Sequence, residues 1–518
     1  MCSWFSGAQR NTLKYRTGVR NVATIKQEAE RTPNRKVQDN LRYAEIIDKM
    51  TLEEKASLLS GGGLFRSKEI KRLDIPAMTF ADGPHGVRKQ AGSNDHLGLN
   101  ASLPATCYPT ASAIANSWDE GLAEELGRYL GKEAASQGVN MLLGPGLNIK
   151  RSPLCGRNFE YFSEDPYLSG KFAAAFIRGI QSEGVSACPK HYAVNSQETL
   201  RMHNDSVLDQ RTLREIYLTA FEIAVKESNP LGLMTSYNKV NGVYASEHPH
   251  LLHDILMEEW GFKGVVVTDW GGSNDRVEAA RVGGHIEMPT TGGDSDREVV
   301  AAVRSGMLDE ARVDRLVDDY LNVLFTTKLP DNPLPFDEKK HHVFARQAAR
   351  DSIVLLKNDN ALLPLKAGAN VAVIGDFAET PRYQGFGSSV VNPTRIENAL
   401  ECLKDADLDV KYSKGYERFG KPDHELLARA VSTAKAADIV LVFIGLDEMS
   451  EKEACDRTHM RVNQNQVDVL EAVAEVNPNI VAVFCGGAPF EVPWIDKCRA
   501  VIHGYLGGQA GEIGRAHV

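Results

Sequence analysis

The sequence predicts an α/β protein in which a parallel α/β barrel is followed by a second α/β domain. Three observations lead to this fold. The chain has 518 residues, more than one ordinary domain holds, so two to four domains are expected. Short apolar runs alternate with longer amphipathic stretches over roughly 290 residues, as in a parallel barrel. A proline-rich stretch between Phe325 and His342 then separates this region from a second alternating pattern.

Each barrel strand is indicated by a short apolar run that ends at polar or glycine-rich residues. The clearest is Val265–Thr268, in which three valines follow Gly264 and precede Asp269, Trp270 and two glycines. A continuous apolar run is typical of a strand that is buried on both faces of a parallel sheet. The other predicted barrel strands are Ala77–Phe80, Met141–Leu143, Ser186–Cys188, Gly232–Thr235 and His285–Met288.

Amphipathic helices are predicted between these strands. Apolar residues recur at helical spacing in Asp39–Leu59, Glu120–Ser136 and Gln210–Glu227. In the first of them, Thr51 and Glu54 have the spacing of a capping box. Strand and helix therefore alternate along the first part of the chain.

The second domain is predicted from a further set of buried strands. These are Val371–Ile374, Ile439–Ile444, Ile480–Phe484 and Ala500–His503, with a helix at Asp423–Ala437. Gly375 and Asp376 follow the first strand, but no GxGxxG opens the next helix, which argues against a dinucleotide site.

The predicted domain boundaries follow from these patterns. They are a disordered or extraneous N-terminal segment 1–38, a barrel 39–326, a linker 327–345, a second domain 346–512 and a non-native tail 513–518. Residues Ile513–Val518 are what one reading frame of a widely used sequencing adapter encodes. We therefore expect the reading frame to be truncated and the second domain to be incomplete at its C-terminus.

Composition excludes several classes of function. The net charge of -10 argues against a nucleic-acid partner, because phosphate binding requires a basic surface. No apolar run approaches the roughly 20 residues of a membrane helix, and the first residues lack the apolar block of a secretory signal. The cysteines show no metal-ligand spacing. We expect a cytoplasmic protein without a metal or other cofactor.

Polar motifs follow the predicted strands, and together they indicate one pocket. Strand ends of a parallel barrel converge on one mouth, where barrel enzymes place their catalytic groups. The motifs are Asp82-Gly83-Pro84-His85-Gly86-Val87-Arg88, Gly144-Pro145-Gly146-Leu147-Asn148, Lys190-His191-Tyr192, Ser236-Tyr237-Asn238 and Asp269-Trp270.

The side chains of this predicted pocket suit a sugar. Carboxylates and cations hydrogen-bond sugar hydroxyls, and an indole can stack on the apolar face of the ring. Cleavage of a glycosidic bond needs a second carboxyl group that donates a proton. The barrel offers Glu160, Glu164 and Glu198 for this role, and an acidic loop follows strand Ile439–Ile444, reading Asp447-Glu448-Met449-Ser450-Glu451-Lys452-Glu453-Ala454-Cys455-Asp456-Arg457.

The chain resembles the glycoside hydrolase family 3 β-glucosidases from about Met50 to Gly511. The resemblance depends on motifs that occur in the order found in the family. They are Asp82-Gly83-Pro84, Gly156-Arg157, Glu160-Tyr161-Phe162-Ser163-Glu164-Asp165-Pro166, Lys190-His191-Tyr192, Met234-Thr235-Ser236-Tyr237-Asn238 and Thr268-Asp269-Trp270-Gly271.

The resemblance implies a (β/α)8-like barrel followed by an α/β sandwich domain, with the sugar pocket between them. It implies that Asp269 is the nucleophile and that Trp270 is the platform beside the leaving group. It implies that the sugar ring is bound by Asp82, Arg157, Lys190, His191 and Tyr237, and that Gly385-Phe386-Gly387-Ser388-Ser389 covers the pocket rim.

The same resemblance implies that Glu453 is the acid/base. It matches the family loop Glu-Ser-Glu-Gly-x-Asp-Arg, but Lys452 replaces the serine and Ala454 the glycine, so Glu451 stays an alternative. We expect Lys190, Arg157 and His191 to supply the charge and the hydrogen-bond donors that keep Asp269 ionised. We expect the carboxylates of Glu451 and Asp456 to hold Glu453 protonated near neutral pH.

These observations predict a retaining, exo-acting β-glucosidase that acts on a small β-glycoside. A homo-oligomer is compatible with them. A β-xylosidase or another family 3 glycosidase, for arabinose or N-acetylglucosamine, is the first alternative. The run Lys190-His191-Tyr192-Ala193 differs from the Lys-His-Phe-Pro of the N-acetylglucosaminidase branch. An inactive sugar-binding fragment is the alternative from another class.

Overall fold

The computed structural model of the chain describes residues 41–92, 101–330 and 333–511. These residues belong to one structural unit. The predictions for the segment 1–38 and for the tail 513–518 lie outside the described residues.

The first domain is built on a ring of short, buried strands. They are β1 (Phe80–Asp82), β2 (Met141–Leu143), β3 (Ser186–Ala187), β4 (Gly232–Thr235) and β5 (Val265–Thr268). In this ring β1 pairs with β2, β2 with β3 and β4 with β5, and every pair is parallel. A parallel bridge between Tyr192 and Thr235 links the segment after β3 to β4. The strands are buried on both faces, so each appears in the sequence as a continuous apolar run.

Isolated bridges close the ring from β5 back to β1. Parallel bridges join Val267 to Ile286 and Glu287 to Ser60, and antiparallel bridges join Gly61 to Ser67 and Arg66 to Thr79. The segment predicted as strand His285–Met288 therefore takes part in the ring through single bridges. The result is a (β/α)8-like barrel, as predicted.

Helices surround the barrel and cover its apolar exterior. The longer ones are Leu52–Leu58, Glu120–Ser136, Pro166–Ser182, Gln210–Thr212 continuing through the π-helix Leu213–Leu218 into Thr219–Ser228, the π-helix His250–Glu259, Arg276–Val282, Asp294–Arg304 and Glu310–Thr326. Thr51 caps the first of these helices, and its side chain and that of Glu54 make the reciprocal bonds of the predicted capping box. Local sequence signals thus set where the helices begin.

The second domain is an α/β sandwich around one six-stranded sheet. Its strands are β6 (Val354–Asn358), β7 (Asn370–Ile374), β8 (Asp409–Ser413), β9 (Ile439–Gly445), β10 (Ile480–Cys485) and β11 (Ala500–Tyr505). The order across the sheet is β6-β11-β10-β9-β7-β8, and every pair is parallel except β6 with β11. Helices Glu338–Ser352, Asp376–Glu379, Ala399–Lys404, His424–Lys435 and Gln464–Ala474 belong to the same part of the chain.

The central strand β9 shows why this sheet is buried on both faces. Val440, Val442 and Ile444 pack into the apolar cluster on one face of the sheet. Leu441 and Phe443 pack into the cluster on the other face. Alternate residues of a strand point to opposite faces, so a strand covered on both sides is apolar throughout.

The structure differs from several of the predicted elements. Strand β1 begins three residues later and ends two residues later than the prediction Ala77–Phe80, so Asp82 ends the strand instead of following it. The edge strands β6 and β8 were not predicted. Both are only partly buried and carry lysine or aspartate, so neither shows the apolar run that marks a central strand. Helix Glu338–Ser352 begins inside the predicted linker 327–345, because Asp337 caps it through the Lys340 N–H.

Within the three described ranges, no helix has the length and apolar character needed to cross a bilayer.

Candidate active site

One pocket at the carboxyl ends of the barrel strands brings together the eight side chains to which the resemblance assigns a catalytic or sugar-binding role. Residues of both domains line it. They are Phe65, Asp82, Arg157, Lys190, His191, Met234, Tyr237, Asp269, Trp270, Ser388 and Glu453. Asp269 and Glu453 therefore face the same cavity, although they come from different domains. Among the described residues, no group of three or more His, Cys, Asp or Glu side chains is arranged to hold a metal.

Asp269 lies directly after strand β5, and its side chain is almost fully buried. The residue is 8% exposed. Its Oδ1 accepts the N–H of Trp270 at 2.8 Å, and its Oδ2 lies 3.5 Å from His191 Nε2. Burial raises the pKa of Asp269, and the positive charges of Arg201 and Arg157 oppose that rise.

His191 carries no positive charge beside Asp269. Burial, together with the nearby cations Arg157 and Lys190, holds the pKa of this imidazole well below its usual range. The charge that supports the Asp269 carboxylate therefore comes from the other cations, and neutral His191 can contribute only as a hydrogen-bond donor. Its Nδ1 lies 3.4 Å from Asn148 Oδ1, and its backbone N–H donates to the same oxygen at 2.8 Å.

Arg201 is the cation that the sequence analysis missed. It follows the Lys190 motif by eleven positions in an irregular segment, and no periodic pattern points to it. Its guanidinium lies 4.7 Å from the centre of the Tyr237 ring and donates to Glu453 Oε1 at 2.9 Å. Only the packing of this segment against the pocket reveals it.

A buried network of alternating charges forms one wall of the pocket. Lys190 Nζ lies 3.5 Å from Asp82 Oδ1 and 3.4 Å from Glu160 Oε1. Arg157 binds Glu160 in a bidentate manner at 2.8 and 2.9 Å. Burial raises the pKa of Asp82 to about 6, against the opposing charges of Lys190 and Arg88. These groups present donors and acceptors together, as sugar hydroxyls require.

Aromatic side chains also line the pocket. Trp270 donates its indole N–H to the Leu64 carbonyl at 2.7 Å, and its ring centroid lies 5.1 Å from that of Phe65. The Tyr237 hydroxyl donates to the Trp270 carbonyl at 3.1 Å. These bonds fix the indole in place, so it can act as a flat apolar surface for a sugar ring.

Glu453 is held in the pocket by cations and by a backbone donor. Its Oε1 accepts from Arg201 at 2.9 Å and lies 3.8 Å from Arg157 Nη1, and its Oε2 accepts the Ser388 N–H at 2.7 Å. Burial by itself would raise the pKa of Glu453. The two arginines and the Ser388 donor outweigh burial and hold this pKa well below its usual range.

The neighbouring carboxylates do not protonate Glu453 as expected. Glu451 is buried away from the pocket, where it accepts from Arg382 at 2.9 Å and from the Gly487 N–H at 2.7 Å. Asp456 accepts backbone N–H groups of the barrel, and these lower its pKa despite partial burial. The prediction that these two carboxylates hold Glu453 protonated is therefore wrong. The geometry does distinguish Glu453 from Glu451 as the candidate acid/base, since Glu453 lines the pocket and Glu451 does not.

The rim loop Gly385–Ser389 runs beside the acidic loop and packs closely on Glu453. The Phe386 N–H donates to the Glu451 carbonyl at 3.1 Å, and the Glu453 N–H donates to the Phe386 carbonyl at 2.9 Å. Gly387 has φ +131°, and a Cβ there would lie 2.5 Å from the Glu453 Cβ. Only glycine fits at this position.

The other barrel carboxylates considered as proton donors lie elsewhere. Glu160 is neutralised by Arg157 and Lys190, Glu198 is buried behind the pocket, and Glu164 is exposed on a loop. None of the three lines the pocket. Glu453 is the carboxyl group that faces Asp269 from the second domain.

Family models cover most of the chain. Residues 35–322 match the model described as glycosyl hydrolase family 3 N terminal domain. Residues 353–518 match the model described as glycosyl hydrolase family 3 C-terminal domain.

Individual relatives carry glycosidase names. The chain is 50% identical over 471 residues to thermostable beta-glucosidase B of Acetivibrio thermocellus, covering 90% of this chain and 62% of that protein. It is 42% identical to the exo-alpha-(1->6)-L-arabinopyranosidase of Bifidobacterium longum, covering 92% of this chain and 64% of that protein. The chain thus spans somewhat less than two thirds of the length of these relatives.

Solved structures share the fold. The family 3 beta-glucosidase of Bifidobacterium adolescentis matches with a TM-score of 0.86 at 42% identity, over 91% of this chain and 68% of that one. Beta-glucosidase 3B of Thermotoga neapolitana in complex with glucose matches with a TM-score of 0.83 at 32% identity, over 91% of this chain and 73% of that one.

Proposed function

This chain belongs to glycosyl hydrolase family 3, and from that premise we propose that it is a retaining, exo-acting β-glucosidase. It would remove a terminal β-D-glucosyl residue through a covalent glycosyl-enzyme intermediate. The observation that supports this proposal most strongly is that Asp269 and Glu453 line one pocket from two different domains. A pair of carboxyl groups across a sugar site is what glycosidic bond cleavage requires.

In the first step an Asp269 carboxylate oxygen attacks the anomeric carbon. The bond between that carbon and the glycosidic oxygen breaks, and the oxygen takes a proton from Glu453. In the second step Glu453 removes a proton from water, and the water oxygen displaces Asp269 from the anomeric carbon. The sugar leaves with its original configuration because two inversions occur in sequence.

In the pocket without a bound sugar, the charge state of Glu453 suits the second step. With Arg201 and Arg157 beside it, this carboxylate is ionised and ready to accept a proton. The first step needs the carboxylic acid instead. Sugar hydroxyls that accept hydrogen bonds from Arg201 would draw the guanidinium away from Glu453, and the pKa of Glu453 would then rise.

The remaining groups hold the ring. Asp82 and Lys190 supply an acceptor and a donor for adjacent hydroxyls, and neutral His191 offers one donor without competing as a cation. Trp270 supplies the flat apolar wall. Such a set recognises one terminal sugar and encloses it, as exo action requires.

A pentopyranosidase is the second candidate. The observation in its favour is the 42% identity to the arabinopyranosidase of Bifidobacterium longum. A pentopyranose lacks the hydroxymethyl group of glucose, so both sugars present their ring hydroxyls to the same kinds of side chain.

A panel of nitrophenyl glycosides tests both candidates. The panel contains β-D-glucoside, β-D-xyloside, α-L-arabinopyranoside and N-acetyl-β-D-glucosaminide, and Asp269→Asn serves as the inactive control. The highest kcat/KM on the β-glucoside supports the proposal, and the highest value on a pentoside supports the second candidate. A folded protein that binds glucose but hydrolyses none of the four would be a sugar-binding protein.

A further inference from the structure

Two carboxylates fasten the loop that carries Glu453 to the barrel. One of them belongs to the barrel and the other to the loop. From the barrel side, Glu198 Oε2 accepts the backbone N–H of Ala454 at 2.7 Å. From the loop side, Asp456 accepts the backbone N–H groups of Glu198 at 3.0 Å and of Thr199 at 2.8 Å. Each segment therefore supplies a side-chain acceptor to the main chain of the other.

A third backbone donor shows how tightly the segments are packed. The Gly156 N–H donates to Asp456 Oδ1 at 3.1 Å. A Cβ on Gly156 would lie 1.9 Å from the Cys455 carbonyl and 2.3 Å from the Lys452 carbonyl. No other residue fits there, so the two backbones are in direct contact on both sides of Glu453.

Glu198 also reaches the acid/base through Arg201. The same guanidinium nitrogen, Arg201 Nη1, donates to Glu198 Oε2 and to Glu453 Oε1, each at 2.9 Å. Glu198 is 3% exposed, and its other oxygen, Oε1, is buried with no hydrogen-bond partner among the described residues. The side-chain hydrogen bonds of this buried carboxylate therefore go to the loop that carries Glu453 and to Arg201, which binds Glu453.

We infer that Glu198 and Asp456 are positioning residues for proton transfer, which place the Glu453 carboxyl group over the glycosidic oxygen. The inference rests on the proposed function and concerns the same site. Neither residue lines the pocket, so neither touches the sugar. They act by fixing the loop at Ala454 and at Asp456, one and three positions after Glu453. Displacement of a general acid by about 1 Å is enough to reduce catalysis severely.

The leaving group of the substrate provides a readout that a purely structural role would not affect. A 2,4-dinitrophenolate leaves without a proton, whereas a methoxide leaves only if a general acid protonates it. We compare Asp456→Ala, Asp456→Asn, Glu198→Ala and Glu198→Gln on 2,4-dinitrophenyl and methyl β-D-glucosides. Asp423→Ala is the matched control, because Asp423 accepts two backbone N–H groups at a helix start in the second domain.

For both alanine variants we expect kcat on the methyl glucoside to fall about tenfold or more, with less than about threefold loss of glycosylation rate on the dinitrophenyl glucoside. The Asn and Gln variants keep an acceptor oxygen, so they should recover most of the loss. The control should change neither rate. Equal losses on the two substrates would show that the loop carboxylates do not position the acid, and so would a lack of recovery in the conservative variants.

Amide hydrogen exchange of the full 518-residue chain tests the fastening without relying on turnover. Peptides covering residues 451–457 should exchange faster in Asp456→Ala and Glu198→Ala than in the unmodified chain. Their exchange rate in Asp423→Ala should equal that of the unmodified chain. Unchanged exchange in the first two variants would overturn the inference. A chain that hydrolyses neither glucoside would contradict the proposed function, and the exchange rates would still decide whether the two carboxylates hold the loop.

Discussion

The Glu453 carboxylate of the second domain and the Arg201 guanidinium of the barrel form an ion pair between the two domains, with an O···N distance of 2.9 Å. The pair joins the two domains at the place where the chemistry is proposed to occur. It also fixes the charge state of Glu453, because a nearby cation favours the ionised carboxylate. Proton transfer and domain contact therefore depend on the same arginine.

Asp269→Asn should abolish turnover while leaving the fold intact. The amide is nearly the same size as the carboxylate but cannot form the glycosyl ester, so kcat on dinitrophenyl β-glucoside should fall about a thousandfold or more. The melting temperature is measured in parallel and should not decrease, since the substitution removes a buried charge. A folded variant with a tenth of the original activity would exclude Asp269 as nucleophile.

Glu453→Ala should be rescued by azide on an activated substrate. Without the base, water attacks the glycosyl-enzyme slowly, whereas azide is a nucleophile that needs no proton removal. The expected product is β-glucosyl azide, identified by NMR, and its β configuration reports retention. The same experiment on Glu451→Ala is the comparison, because Glu451 is buried with Arg382 outside the pocket. Rescue of the Glu451 variant alone would move the acid/base role to that residue.

Arg201→Gln should shift both limbs of the pH profile of kcat/KM to higher pH. Arg201 lowers the pKa of Asp269 and that of Glu453. Loss of its charge disfavours both carboxylates, so both pKa values rise. The two limbs of kcat/KM report the ionisations of Asp269 and Glu453 in the free enzyme, so a rise in both pKa values moves both limbs to higher pH.

Arg211→Gln is the control for this profile, since Arg211 makes an exposed ion pair with Glu215 on a barrel helix. Its profile should match that of the unmodified chain. If Arg201→Gln lowers the rate but leaves both limbs of the pH profile at the same pH, Arg201 affects only the binding of the sugar.

Gly387→Ala should reduce both activity and stability. Its Cβ would lie 2.5 Å from the Glu453 Cβ, and its φ of +131° disfavours any side chain. Gly242→Ala separates these two effects, since Gly242 has φ +91° but an added Cβ there meets nothing within 4 Å. Both variants should lose about 1–2 kcal/mol of unfolding free energy from backbone strain. Only Gly387→Ala should also lose kcat, and equal activity in the two variants would contradict close packing on Glu453.

Glu198→Gln should gain stability relative to the unmodified chain as the pH rises. Burial raises the pKa of Glu198 from 4.5 to about 7, so the folded state holds this proton more tightly than the unfolded state does. The cost of ionising it is absent below about pH 4.5 and complete above about pH 7. The difference in unfolding free energy between the variant and the unmodified chain should therefore grow across that interval by on the order of 1–3 kcal/mol.

Urea unfolding at pH 4.5, 6 and 7.5 measures this difference, and Glu215→Gln, an exposed carboxylate on a barrel helix, is the control. A difference that shrinks with rising pH would show that Glu198 is stabilised as the anion instead.

The central strands of both sheets could be predicted from the sequence, because a strand covered on both faces must be apolar at every position. Val265–Thr268 and Ile439–Gly445 show this pattern, and each is a buried strand in the structure. The edge strands Val354–Asn358 and Asp409–Ser413 could not be predicted in this way. Each has one side open to solvent, and the resulting mixed composition resembles that of a loop.

The members of the pocket could also be selected from the sequence, since polar groups that follow parallel strands must meet at one end of the barrel. Asp82, Lys190, Tyr237 and Asp269 are of this kind. Their charge states depended on the tertiary structure. His191 is neutral because it is buried beside two cations, and Glu453 is anionic because Arg157 and Arg201 lie beside it. Arg201 could not be anticipated, since it comes from a segment with no recognisable pattern. Local sequence thus determined where each functional group sits along its own strand or loop. Only the docking of the two domains decided which charges face one another, because electrostatic energy depends on distance in space and on burial.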